Sequence, residues 1–303
     1  MKEAPRRLLL LLLVFSLVGR SGQDSHTYQL SVNVDLVVLN ATVRDQKGRV
    51  AADLREQDFE VFEDGVRQSI RLFRHEDIPV TVGLVIDHSG SMRPKLANVA
   101  AAARTFIESS SPDDQMFVVN FNENVTLGLP AATPFSNRSD ELARAISGTP
   151  ATGKTALYDA VWKARERLGS GSRDKKVLIV ISDGGDNAST HTLADVLQAG
   201  NKSNIQVYTI GIFDPDDPDR NPAVLRQLAL ASGGEAFVPG ELSEVVSVCD
   251  GIAEDIRTQY TLGYLSNAAT QGSGYHSIKV VARGTGKAKL FVRTRSGYSG
   301  RGK

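Results

Sequence analysis

Residues 80–92 read VTVGLVIDHSGSM. The run Val80 to Ile86 is built of β-branched and aliphatic residues with one glycine, and it stops at Asp87. An apolar run of this length between polar neighbours predicts a strand buried on both faces, as in a parallel sheet. Ser89 and Ser91 follow at alternate positions, with Gly90 between them. In open α/β sheets the ligand site lies just beyond the carboxyl ends of the strands, which is where this Asp-x-Ser-x-Ser falls. One carboxylate and two hydroxyls are hard oxygen donors, suited to Mg²⁺, Mn²⁺ or Ca²⁺ more than to zinc.

Downstream of this strand, apolar strands alternate with helical segments. Leu96 to Ile107 is Ala-rich and reads as a helix, and Met116 to Phe121 with Val125 to Leu129 as a hairpin. Leu157 to Leu168 is helical, and Val177 to Ile181 is a second apolar strand ending at Ser182-Asp183-Gly184. Leu193 to Lys202, Ala223 to Leu230 and Leu242 to Gln259 read as helices, with a third buried strand at Ile205 to Ile212. This alternation predicts an α/β fold over residues 78–258: a doubly wound, mostly parallel, Rossmann-like sheet.

The flanks differ in style. In residues 26–77, Val32, Val34, Leu36 and Val38 alternate with polar residues, and Phe59 to Phe62 and Ser69 to Phe73 bracket the turn Glu63-Asp64-Gly65. This is β structure with a hairpin signal. Residues 260–298 return to strands at Tyr260 to Tyr264, His276 to Ala282 and Ala288 to Thr294. Three strands alone are marginal. The economical expectation is that the two flanks pair into one small β-sandwich with the α/β domain inserted between them.

At the N-terminus Lys2, Arg6 and Arg7 precede the apolar segment Leu8 to Val18, followed by small residues. This is the layout of a signal peptide, residues 1–22, and the apolar run is too short for an ordinary span. Left uncleaved, the same segment would be a signal anchor. The expectation is an exported chain, periplasmic or extracellular, with no stable membrane span after cleavage. The whole chain has 35 basic and 35 acidic residues. A balanced charge gives no support to nucleic-acid binding. Cys249 is the single cysteine, so an internal disulfide is excluded, and a half-buried thiol on a helix is the expectation.

Three loops carry the chemistry: Asp87, Ser89 and Ser91; Gly153-Lys154-Thr155 at the start of a helix; and Asp183 after a buried strand. Together they resemble the metal-ion-dependent adhesion site (MIDAS) of a von Willebrand factor A-type (VWA) domain over residues 78–258. The flanking stretches Asp58-Phe-Glu-Val-Phe62, Tyr260-Thr-Leu-Gly-Tyr264 and Arg295-Ser-Gly-Tyr298 are similar to an exported bacterial group of VWA-related proteins. The resemblance implies that Ser89, Ser91 and Thr155 supply hydroxyl oxygens to a metal, Mg²⁺ by preference. Asp87 and Asp183 would act through their carboxylates or through bound water. It further implies a binding or adhesion module, not an enzyme, whose protein partner presents an Asp or Glu carboxylate to an open position on the ion. A plainer possibility is that Asp87 and the serines cap the following helix, leaving a structural module with a vestigial site.

A second motif competes. Gly148-Thr-Pro-Ala-Thr-Gly-Lys-Thr155 fits G-x-x-x-x-G-K-[ST], the phosphate loop of nucleotide hydrolases. That loop needs a strand before its first glycine, and Asp140 to Ile146 is charged and helix-forming, so Lys154 is expected to face solvent. The acidic loop Asp214 to Asp219 lacks EF-hand spacing and reads as solvated. The five histidines form no HExxH pair, which argues against zinc. His88 is expected at the rim of the site and Trp162 in the core.

Overall fold

A computed structural model of the chain describes residues 36–214, 216, 218–266, 274–284 and 289–300. The expected signal peptide and the strand residues Val32 and Val34 lie outside the described residues. The N-terminal flank forms β1 (Leu36–Arg44), β2 (Phe59–Glu63), β3 (Val66–Gln68) and β4 (Ile70–Arg74). Then follow β5 (Val80–Asp87), α1 (Leu96–Glu108), β6 (Gln115–Phe121), β7 (Val125–Leu127), α2 (Ser139–Ser147), α3 (Leu157–Gly169) and β8 (Lys175–Ser182). The α/β portion continues with α4 (Leu193–Asn201), β9 (Ile205–Gly211), α5 (Pro222–Ser232), β10 (Ala236–Phe237) and α6 (Glu244–Arg257). The C-terminal flank adds β11 (Tyr260–Leu265), β12 (Tyr275–Ala282), β13 (Phe291–Arg293) and β14 (Gly297–Ser299).

The central sheet has the order β10-β9-β8-β5-β6-β7. Every pair is parallel except β6 with the edge strand β7. β5 is buried at all eight positions, which explains why, Thr81 apart, its sequence is apolar up to Asp87. Its alternate residues feed two cores. Val82, Leu84 and Ile86 pack with α1, α2 and α6, while Val85 faces α3 and α5. Gly83 is required by close packing: a Cβ there would stand 2.5 Å from Phe117 Cζ and 2.7 Å from Leu178 Cδ2. The chain leaves β5 toward β6 on one side and returns to β8 on the other. The carboxyl ends of β5 and β8 therefore flank the switch point where doubly wound sheets bind ligands.

The flanking segments do pair. β1 runs antiparallel to β11, with Leu39 opposite Leu262, and β2 runs antiparallel to β12, with Val61 opposite Val280. Two sheets result, β13-β1-β11-β4 and β14-β12-β2-β3, and each takes strands from both flanks. Their shared core holds Leu39, Val43, Phe59, Val61, Leu262 and Tyr264. Each such side chain contributes about 1.5–3 kcal/mol on burial, and the set is complete only when both flanks supply it. The turn at Asp64 and Gly65 has positive φ at both positions, 49° and 79°, as a two-residue hairpin turn demands. The expected returning strand, Ser69 to Phe73, falls on β4 and does not return on β2. β3 pairs with β2, while β4 crosses to the other sheet and pairs with β11.

The sandwich is fastened to the α/β portion through α6. Asp255 on α6 is fully buried and receives Arg44 Nη2 of β1 at 2.5 Å and Arg293 of β13. Gln259, expected as the end of the helix, lies two residues past it. It donates to Thr42 Oγ1 at 3.2 Å and to the Tyr208 hydroxyl at 3.0 Å. The Cys249 thiol is more buried than expected, at 1% exposure, and burial pushes it up to about 12. Trp162 is half-buried against the α3 core, with its ring stacked on His191 at 4.3 Å.

Candidate metal centre

β5 delivers Asp87 to the carboxyl edge of the sheet with no exposed surface. Its Oδ1 accepts from the Ser89 amide at 2.8 Å, and its Oδ2 from Ser182 Oγ at 2.6 Å. Burial pushes its carboxyl up to about 6, and the nearby Asp183 charge adds to this against the opposing hydrogen bonds. The chain then turns through a short 3-10 segment, Gly90–Met92, whose Met92 is locked into the core. This turn sets Ser89 Oγ 3.1 Å from Ser91 Oγ, and Ser91 Oγ donates to Asp183 Oδ2 at 2.5 Å. Asp183 Oδ1 in turn accepts from the Gly185 amide at 3.1 Å.

The third loop is held against this turn by the backbone. The Thr152 amide donates to the His88 carbonyl at 2.9 Å and the Gly90 amide to the Gly153 carbonyl at 3.2 Å. Gly153 has φ +80°, and a Cβ there would fall 1.6 Å from Glu123 Oε2. That same carboxylate accepts the Lys154 amide at 2.9 Å. The Thr155 amide donates to Asn187 Oδ1 at 2.9 Å, and its carbonyl accepts from the amides of Asn187 and Ala188. Both backbone groups of Thr155 are thus engaged, while its hydroxyl makes no hydrogen bond among the described residues. The residue is only 6% exposed.

Asp87, Ser89, Ser91 and Asp183 therefore form one hydrogen-bonded group, and the loop bearing Thr155 lies against it. The donor set is two carboxylates and three hydroxyls, which fits a hard divalent cation. Among the described residues no group of three or more His, Cys, Asp or Glu side chains could hold a metal, so hydroxyl oxygens make up most of this donor set. The helix-capping possibility is met only by Asp87, whose Oδ1 takes the Ser89 amide ahead of the 3-10 turn. Neither Ser89 nor Lys95, the residues that precede the 3-10 turn and α1, makes a side-chain cap hydrogen bond.

His88 is not at the rim. It is 1% exposed and turned inward, with Nε2 3.1 Å from Asn120 Oδ1. Burial lowers its pKa, so it is a neutral core group here. The phosphate-loop motif is built differently from its sequence pattern. Gly148 follows α2 directly, so helix, loop and helix replace strand, loop and helix. Lys154 is exposed, as expected. Of the acidic loop, Asp214, Asp216 and Asp219 are described and exposed.

Sequence reasoning missed three supports. Ser182 fixes Asp87, Glu123 underlies Gly153, and Asn187 clasps Thr155. Ser182 had a usable signal, since it sits beside Asp183 at the end of a strand and must point the opposite way. Glu123 and Asn187 lie in other loops, each about 30 residues from its partner, and nothing local marks them.

The von Willebrand factor type A domain family matches residues 81–248. Human inter-alpha-trypsin inhibitor heavy chain H4 is 26% identical over 211 residues, covering 64% of this chain and 22% of that one. The heavy chain H2 of Mesocricetus auratus is 30% identical over 156 residues, covering 46% of this chain and 16% of that one. The chain thus spans about a fifth of the length of these relatives. Among solved structures, a von Willebrand factor type A protein from Catenulispora acidiphila superposes with a TM-score of 0.54 at 15% identity. It covers 89% of this chain and 74% of its own, so the likeness of fold extends past the central sheet into the flanking strands. The proximal thread matrix protein 1 of the mussel byssus gives a TM-score of 0.53 at 15% identity, over 64% of this chain and 51% of its own. With its mostly parallel six-stranded sheet and this match over more than half its length, the chain belongs to the von Willebrand factor type A domain family.

Proposed function

We propose that the chain is a metal-dependent protein-binding module, used for adhesion or assembly outside the cytoplasm. In this reading Ser89, Ser91 and Thr155 hold a Mg²⁺ ion, with Mn²⁺ or Ca²⁺ as substitutes, and Asp87 and Asp183 balance its charge. The bound ion supplies a Lewis-acidic point with an open position for an acidic side chain of a partner. The observation that carries the reading is the Thr155 hydroxyl. It is held in place from both sides of its own backbone, yet no group among the described residues uses it. Neutral hydroxyls leave the cation short of negative charge, which favours an incoming carboxylate. Binding is favoured over catalysis because His88, the titratable group nearest the serines in sequence, faces away from them. Among the described residues no helix is long and apolar enough to cross a membrane, which is compatible with an exported chain whose signal peptide is removed.

The test is calorimetric titration of Mg²⁺ into the wild type and into Thr155→Val, which keeps shape and backbone bonds and removes the hydroxyl. We expect about tenfold or greater loss of affinity, near 1.4 kcal/mol or more, with unchanged thermal stability in EDTA. Equal affinity in both proteins rejects Thr155 as a ligand. No Mg²⁺ binding by the wild type would leave a structural module with a vestigial site.

A further inference from the structure

Arg295 lies where the sandwich meets the α/β portion, at the opposite edge of the parallel sheet from Asp87. Its Nη1 donates to the Ser203 carbonyl at 3.3 Å and its Nη2 to the Val38 carbonyl at 3.1 Å. Its guanidinium carbon sits 5.5 Å from the centre of the Tyr298 ring. These partners are neutral. The Nε–H is buried and has no hydrogen-bond partner among the described residues. Arg44 and Arg293 nearby are paired with Asp255, whereas Arg295 has no ion pair among the described residues. Buried charges are ordinarily paired, because an uncompensated one costs several kcal/mol.

The unpaired guanidinium also lines a cleft of about 220 Å³. Lys202 and the two asparagines Asn201 and Asn204 border it on the side that leads into β9, Leu36 on the β1 side, and Tyr298 with Ser299 on the β14 side. No acidic residue is among its described lining residues. Two cations facing one concavity without a carboxylate form a local positive field in a chain whose overall charge is zero. Gly297 makes this arrangement possible. A Cβ there would lie 2.3 Å from the His276 carbonyl oxygen and 2.4 Å from Tyr275 Cζ. Without a side chain at 297, β14 closes on β12 and presents Tyr298 beneath Arg295. The stretch Arg295-Ser-Gly-Tyr298 thereby acquires a role that the metal centre does not give it.

We propose that this cleft binds a small oxyanion-bearing ligand, a carboxylate or a phosphate, between the two cations that line it, the Arg295 guanidinium and the Lys202 ammonium. A planar guanidinium suits the oxygens of such an anion. The Tyr298 ring holds the guanidinium from behind, and the apolar Leu36 wall leaves room for a short carbon skeleton.

The experiment titrates succinate and, separately, inorganic phosphate into the full chain by calorimetry, with EDTA present so that the metal centre takes no part. The wild type is expected to bind at least one probe at millimolar concentration or below, and the preferred probe tells a carboxylate ligand from a phosphate. Arg295→Gln should weaken that probe by about tenfold or more, as for a lost charge-assisted hydrogen bond. Arg295→Lys, which keeps the charge but not the planar guanidinium, should fall between. Because Arg295 also braces the joint, Lys202→Glu provides a surface variant expected to fold normally and to lose binding. Failure of the wild type to bind either probe overturns the proposal, as does binding that survives both Arg295→Gln and Lys202→Glu.

Discussion

Asp87→Asn separates the charge of the candidate centre from its packing, because the two side chains are nearly the same size. Asp87 is fully buried, and its carboxyl is pushed from 3.8 up to about 6. At roughly 1.4 kcal/mol for each pKa unit, keeping it ionised in the metal-free protein costs about 3 kcal/mol at neutral pH. The asparagine removes that cost but has one acceptor oxygen, while the carboxylate accepts from both the Ser89 amide and Ser182 Oγ. Losing one of these hydrogen bonds costs about 1 kcal/mol. The net expectation in EDTA near neutral pH is a gain of about 2 kcal/mol, or roughly 4–8 °C in Tm for a chain of this size. The folded-state pKa is raised, so the stability of the wild type is fully present below about 3.8 and declines as pH rises through about 6. The advantage of the variant should therefore vanish near the lower value, where it becomes about 1 kcal/mol less stable than the wild type. Saturating Mg²⁺ should raise the wild type and leave the variant where it was. Differential scanning calorimetry at the two pH values, with EDTA or with Mg²⁺, measures all four quantities. A variant destabilised equally at both pH values refutes the electrostatic reasoning, and an identical Mg²⁺ shift in both proteins removes Asp87 from the centre.

Other expectations follow from the same structure. Arg293→Ala leaves the buried Asp255 with Arg44 alone and should cost about 3 kcal/mol in urea unfolding, part of which Asp255→Ala in the same chain should restore. Gly83→Ala places a methyl 2.5 Å from the Phe117 ring; a loss of about 1–3 kcal/mol is expected, and an unchanged thermal midpoint would mean that the ring repacks without strain. A fragment of residues 78–258 is proposed to fold by itself with a lower Tm, since it keeps both cores of the sheet but exposes Asp255. A non-cooperative melt would show that sheet and sandwich are one folding unit.

Much of the fold is legible because burial on both faces leaves a strong mark. β5, β8 and β9 are apolar runs with little interruption, and no other element of this chain could use them. The positive-φ turn at Asp64-Gly65 is likewise a local demand that only a few residues meet. β14 escaped notice because Gly297–Ser299 is too short to show a period, and the split between β3 and β4 depends on partners in the other flank. The candidate site was legible in part. Asp-x-Ser-x-Ser and Ser-Asp-Gly are compact and follow visible strands. The direction of a polar side chain is not so marked. His88 stands between Asp87 and Ser89 in sequence, yet it answers to Asn120 on the neighbouring strand, 32 residues away. Arg44 and Asp255, 211 residues apart, form a pair that only the closed sandwich creates.

The pairing of the two flanks has a mechanical consequence. Leu36 and Gly300 border the same cleft, and they belong to β1 and to the end of β14. Tension applied to the chain on either side of these residues enters the sandwich directly and is borne by its antiparallel ladders. The α/β portion, inserted between Arg74 and Tyr260, hangs outside that line of force. For the binding role proposed above, force carried between Leu36 and Gly300 passes through the sandwich and not through the loops around Asp87 and Thr155.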